Sequence, residues 1–226
     1  MGGTLTGHTM MTGEGVDLDG RAVQPGGRKP APGPLALVQA YVNSFFDLEV
    51  EWGADLFGTP DRLADWLAAR GLVPAGTKLH ARDRTRAITV REGLRSLAAA
   101  NNDAWRLVAA DELVLAGEAQ PTTSLADLNR AAAGAGVDVR LGADGPRFAP
   151  SGAGLDRALG VLLATTARAM LDGTWWRLKA CPGHECGWAF YDHSRNQTSR
   201  WCSMAVCGGR AKARAHYHRR REDARG

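Results

Sequence analysis

Apolar residues fall at helical spacing from about Pro34 onward. Leu37, Tyr41, Phe45 and Leu48 stand at i, i+4, i+8 and i+11, and Val38 and Val42 widen their face into a buried first helix. Gln39, Asn43 and Asp47 form the opposite, polar stripe. Thr59-Pro60-Asp61 starts a second helix, with a capping hydroxyl before a proline at the first helical position. Leu63, Trp66 and Leu67 are its apolar side, and Gly71 ends it. Val90, Leu94, Leu97 and Ala98 mark a third helix beginning near Arg82, and a fourth runs from about Asp103 to Gly117. Ser124-Leu125-Ala126-Asp127 resembles a capping box opening a short fifth. The period then changes. Val137, Val139 and Leu141 alternate with Asp138 and Arg140, Asp144-Gly145 supplies a turn, and Arg147-Phe148 begins the return. Leu155, Leu159, Leu162, Leu163, Thr166 and Met170 make the longest amphipathic helix. Residues 34–172 thus predict a body that is mainly α with a small β-hairpin. Residues 1–33, rich in Gly, Thr and Pro without apolar periodicity, read as a disordered leader.

Cysteine usage changes the picture at the C-terminus. The chain's four cysteines are Cys181, Cys186, Cys202 and Cys207, two close pairs joined by a short loop. Each pair can span two vertices of a tetrahedral metal, and four thiolates leave no open position for water, so such a site is structural. No run of 18 apolar residues exists, and the N-terminus lacks a charged-then-apolar signal pattern. That points to the reducing cytoplasm, where paired cysteines hold metal more often than they form disulfides. Zinc is favoured over disulfides, an iron–sulfur cluster or free buried thiols.

The elements predicted around the cysteines are a strand carrying Trp188 and Phe190, a turn over His193 to Gln197, a return through Arg200-Trp201-Cys202, and a helix from about Ala211 to Arg221. Together they suggest a small treble-clef-like zinc module over residues 173–226, with a zinc ribbon as the alternative. Backbone N–H groups at Gly183, Gly187, Gly208 and Gly209 are expected to donate to sulfur. Trp188, Phe190 and Trp201 read as a mini-core rather than as stacking platforms. His184 and His193 read as surface residues.

Charge sharpens the contrast between the two parts. Residues 195–226 carry nine Lys or Arg against Glu222 and Asp223, whereas the rest carries 19 basic and 22 acidic groups. A basic C-terminal end suggests a polyanionic partner. Arg195, Arg200, Arg210, Lys212, Arg214, Arg219, Arg220 and Arg221 are the candidate phosphate contacts. In the body, Asn43, Arg91 and Asn129 are candidates for a polar ligand pocket. Nothing there forms a catalytic constellation, and His193 with Asn196 is the only offer near the cysteines for a nuclease site, so an enzyme is not expected.

Taken in order, Cys181-Pro182, Cys186-x-Trp188-x-Phe190-Tyr191-Asp192-x-Ser194-Arg195-Asn196 and Arg200-Trp201-Cys202-Ser203-Met204-Ala205-x-Cys207-Gly208-x-Arg210-Ala211-Lys212 closely resemble the CGNR zinc-finger family. Val42-Asn43-Ser44, Leu63-x-x-Trp66-Leu67, Val90-Arg91-Glu92 and Leu128-Asn129 are similar to the ABATE-type helical domain that usually precedes this finger. The resemblance implies a bacterial transcription regulator with one structural zinc, a DNA-binding finger, and a sensing or dimerising body, hence a small-molecule effector and a homodimer as candidate partners. A protein-interaction or RNA-binding module without sequence-specific DNA recognition is the alternative. Gly209 stands where the family has asparagine.

Overall fold

The computed structural model describes residues 24–45, 55–102, 123–183 and 186–223. Helix α1 spans Leu35–Val42, α2 Pro60–Ala68, α3 Ala81–Ala100, α4 Leu125–Ala132 and α5 Gly154–Leu171. Strands β1 (Val137–Gly142) and β2 (Gly145–Pro150) form one antiparallel hairpin, and β3 (Leu178–Ala180) pairs antiparallel with β4 (Ala189–Tyr191) in a second. Helix α6, Gly209–Asp223, closes the chain. None of these helices is long and apolar enough to cross a membrane.

Local signals act where they were read. Thr59 accepts a hydrogen bond from Arg62 N–H at the start of α2, and Ser124 accepts one from Asp127 N–H at the start of α4. The alternating segment folds into β1 and β2 with Val139 opposite Phe148; the turn falls on residues 143–144, one position before the expected Asp144-Gly145, because Gly142 pairs with Gly145. Gly160 of α5 lets this hairpin approach, because a Cβ there would lie 3.0 Å from Gly136 O and 3.2 Å from Pro150 Cβ. The body core gathers Val38, Tyr41, Leu63, Leu67, Val90, Leu94, Leu159 and Leu162, each fully buried. Tyr41, Phe57 and Trp66 meet edge-on or tilted within it, with ring centroids 5.4–5.7 Å apart.

Three expectations need correction. The first helix ends at Val42, so Asn43 caps it rather than extending its stripe. Gln39 and Asn43 are buried, at 1% exposure each, rather than forming an outer polar face. Residues 24–33, expected to be disordered, are placed, and Gln24 and Ala31 are buried. Leu48, Asp47, the fourth expected helix (Asp103 to Gly117) and residues 1–23 lie outside the described residues.

The second hairpin belongs to both parts of the molecule. Leu178, Ala180, Ala189 and Tyr191 pack in the same apolar cluster as the helices, together with Trp175. The cysteines, with Trp188, Phe190 and Trp201, form a separate small cluster beside it.

Candidate metal centre

Each cysteine is held by a different piece of local structure. Cys181 follows β3, and its N–H donates to Trp188 O (2.9 Å), which closes the loop between β3 and β4. Within that loop Cys186 N–H donates to Gly183 O (3.0 Å). Gly183 is required here by space, since a Cβ would lie 3.0 Å from Cys207 Sγ and 3.2 Å from Cys186 Cβ. The strand expected through Arg200-Trp201-Cys202 does not form; the partner of β4 is Leu178–Ala180, which precedes the first cysteine. Cys202 instead enters a wide helical turn, Met204–Gly208, capped by Ser203, whose hydroxyl accepts from Val206 N–H. Cys207 lies in that turn, directly before α6.

The four sulfurs lie within 4.8 Å of one another, and all four residues are buried. Cys186 and Cys202 Sγ are 3.6 Å apart, as are Cys202 and Cys207 Sγ. That is too long for a disulfide, whose bond is about 2.05 Å. It is close to the edge of a tetrahedron with zinc–sulfur bonds of about 2.3 Å, which is about 3.8 Å. The thiols also shift one another. Hydrogen bonds from Cys181 and then the other thiols hold the Cys207 thiol well below its ordinary range, with Arg210 adding to the effect. The same crowding, led by Cys181, pushes the Cys186 and Cys202 thiols up. Four thiolates this close repel one another, and a divalent cation among them offsets that repulsion. Cys181, Cys186, Cys202 and Cys207 therefore form a closed, structural zinc site, one per chain. Its net negative charge sits at the N-terminal end of α6, where the helix dipole favours it.

Glycine N–H groups contribute differently from expectation. Gly208 N–H donates to Ser203 O (3.0 Å), and Gly209 N–H turns to the carbonyls of Met204 and Val206, so both brace the turn rather than the sulfurs. Gly209 has ordinary helical angles (φ −64°, ψ −46°), and its nearest prospective Cβ contact is an unstrained 3.6 Å. The backbone does not demand glycine there, so a side chain such as the family's asparagine would fit.

The body grips the module by its exposed strand edges. Asn43 spans Ala189 like a strand residue, its Oδ1 accepting from Ala189 N–H (2.7 Å) and its Nδ2 donating to Ala189 O (2.8 Å). Gln39 Nε2 also donates to that carbonyl (3.0 Å). On the other edge Asn101 Nδ2 donates to Leu178 O (2.9 Å) and Asn102 Nδ2 to Ala180 O (2.9 Å). Arg95 Nη1 donates to Gly187 O (2.5 Å), and its Nε pairs with Glu92 (2.8 Å). The segment before α1 closes the remaining side. Gln24 Oε1 accepts from Trp188 Nε1 (3.1 Å) and from Gln39 Nε2 (2.7 Å). Arg28 donates to the carbonyls of Cys202 (2.6 Å) and Trp201 (3.0 Å) and lies over the Phe190 ring.

The family comparisons divide the chain into the same two parts. The family model for ABATE, described as "Putative stress-induced transcription regulator", matches residues 35–173. The chain belongs to the ABATE family. The CGNR zinc finger matches residues 177–220, in the same order along the chain. No curated protein matches the chain.

The candidate residues separate into groups. The ABATE body does not bring Asn43, Arg91 and Asn129 into one pocket. Asn43 is committed to Ala189, Arg91 is buried against Asp55 (2.7 Å) and Glu92 (2.7 Å), and Asn129 is exposed on α4. A cleft of about 630 Å³ lies elsewhere, between Pro32–Leu35, β2 and α5, and none of the three lines it. In the CGNR finger Arg195, Arg200, Arg210, Lys212, Arg220 and Arg221 are exposed and Arg214 is half-buried. The side chain of Arg219 and all of His184 lie outside the described residues. Trp188 and Phe190 are buried, as a mini-core requires. His193 is exposed, tilted against Tyr191, with its Nε2 3.0 Å from Pro30 O.

Two residues that sequence reasoning passed over hold the loop after β4. Lys179 Nζ donates to Asp192 Oδ2 (2.9 Å), Ser199 O (3.3 Å) and Gln197 O, with Lys179 and Asp192 both buried. Asp192 also accepts from Ser194 N–H, Ser194 Oγ–H and Ser199 N–H. Burial opposes its charge, but the bonds from Ser194, Lys179 and Ser199 prevail and hold its carboxyl well below the usual aspartate range. The Asp-x-Ser pattern was a legible turn signal. Its lysine partner, 13 residues earlier, was not.

Proposed function

We propose that this protein is a zinc-dependent DNA-binding transcription regulator of the cytoplasm, in which the metal is structural and α6 contacts phosphates. The observation that carries the reading is α6 itself. It starts two residues after the last cysteine ligand, bears Arg210, Lys212, Arg214, Arg219, Arg220 and Arg221, and buries none of its described side chains. A helix polar all round contributes little to a core and is suited to presentation. Arg195 and Arg200, exposed on the loop that precedes Cys202, extend the basic surface. Zinc fixes the base of that helix, so its charges are pre-organised rather than carried on a free tail. Charges of this breadth position a protein on a duplex; base-edge contacts would supply sequence preference. The role is a binding one rather than an enzymatic one: the ligand shell is closed, and the His193 ring is engaged with Pro30 and Tyr191.

The test is binding of the zinc-loaded protein to fragments of its own genome across a salt series. Retention of a few fragments at physiological salt is expected, with log K falling against log salt by about 0.9 for each phosphate contact. The double reversal Lys212→Glu with Arg220→Glu should abolish retention while leaving zinc content unchanged. Indiscriminate binding that disappears with modest salt, or binding indifferent to the double reversal, would overturn the reading in favour of a protein- or RNA-docking module.

A further inference from the structure

Among the described residues, every strand edge but one is occupied or blunted. Both edges of the β3–β4 pair are occupied by amide side chains of the body, Asn43 on one and Asn101 and Asn102 on the other. In the β1–β2 hairpin the ladder's parity follows from two facts. Ser151 N–H donates to Gly136 O (2.8 Å), and Pro146 and Pro150 have no N–H to give. Asp138, Arg140 and Gly142 therefore bond inward to Ala149, Arg147 and Gly145. The N–H and C=O groups of Val137, Val139 and Leu141 point to the outer side of β1. On β2 the outward positions are Pro146, Phe148 and Pro150, so two prolines blunt that edge. The β1 edge carries no proline, lysine or bulge, and no strand lies beyond it among the described residues. Val139 and Leu141 on it are 60% and 87% exposed.

We propose that the open edge of β1 is a homodimer interface, in which β1 pairs antiparallel with β1 of a second copy about a two-fold axis at Val139. The strand's own charges select that occupant. Pairing about Val139 sets Asp138 of each copy opposite Arg140 of the other, and Val137 opposite Leu141. The charged residues then occupy non-hydrogen-bonded pairs, where facing side chains come closest. The adjacent registers, centred on 138 or on 140, oppose Asp to Asp or Arg to Arg. One register is thus favoured over its neighbours. Arg147 pairs with Asp144 across the turn (3.3 Å), so the hairpin's turn charges answer each other and leave Asp138 and Arg140 to face the second copy. The result is a four-stranded sheet with Val137, Val139 and Leu141 of both copies on one face, a more stable unit than an isolated pair of strands.

Sedimentation velocity of the zinc-loaded full chain, without DNA, tests this independently of the regulator reading. A reversible monomer–dimer equilibrium in the micromolar range is expected. Val139→Pro removes the two N–H donors at the axis while keeping the hairpin, because Val139 faces outward as Pro146 and Pro150 do; this variant should be monomeric. Arg140→Asp places like charges opposite twice and should weaken the dimer at least about tenfold. Adding Asp138→Arg to it restores complementarity and should restore the dimer. A chain monomeric throughout the range, a dimer indifferent to Val139→Pro, or a charge swap that fails to rescue would each overturn the proposal.

Discussion

The two hairpins have the same topology and opposite surroundings. All six residues of β3 and β4 are buried, including Lys179, whereas none of the twelve in β1 and β2 is. Apolar content does not separate them, since the exposed pair carries Val137, Val139, Leu141 and Phe148. The difference lies in what meets the edges and faces. The buried pair has a zinc cluster at its loop, helices on its face and asparagines on both edges. The exposed pair has one face on α5 and one edge open. A strand's burial here is thus a property of its neighbours rather than of its own sequence.

Metal removal is the strongest way to break that contrast. Chelation, or Cys202→Ser, should unfold the finger and also destabilise the body, because Leu178, Ala180, Ala189 and Tyr191 belong to the body core. Structural zinc contributes about 10–16 kcal/mol in isolated finger peptides, comparable to the whole stability of a domain. Hydrogen exchange should show protection lost along β3, β4 and the ends of α1 and α3 before β1 and β2 respond. A body that melts at an unchanged temperature without metal would show that the shared core is not cooperative.

A smaller test concerns the buried charge in the protected hairpin. Lys179→Met strands the Asp192 carboxylate and should cost about 3–5 kcal/mol by denaturant unfolding. The Asp192 carboxyl is depressed in the folded chain, so its stabilisation is present at neutral pH and is lost as pH falls below the ordinary aspartate value of about 3.9. Asp192→Asn should accordingly flatten the acid limb of the stability profile. The smallest effect belongs to the exposed hairpin. Leu141→Ser, at a site 87% exposed, should change monomer stability by less than about 0.5 kcal/mol.

What the sequence displayed was what local chemistry decides. Thr59-Pro60 and Ser124 cap helices, Asp144-Gly145 marks a hairpin turn to within one residue, and the cysteine pairs meet, because each signal acts within a few residues. The partner of β4 was misplaced because Leu178-Lys179-Ala180 is only three residues long, too short to establish a period, and its central lysine is buried against Asp192, which only tertiary structure reveals. Gln39 and Asn43 looked like a polar stripe for the same reason. Their partner is a backbone edge near Ala189, about 150 residues away, and backbone groups leave no mark in sequence. Arg95, Asn101 and Asn102 were missed alike, since each serves a distant carbonyl.

The clasp between Gln24, Arg28 and the finger has a consequence for the order of events at the ribosome. Gln24 meets Trp188, which is made 164 residues later. At synthesis rates of about 5–20 residues per second, that is a wait of about 8–33 s. During it Gln24 and Gln39 can bond each other, but the bonds of Gln24 to Trp188 and of Gln39 and Asn43 to Ala189 cannot form. The clasp on the finger closes only once residues 188 and 189 have emerged, so zinc supply bears on when it forms.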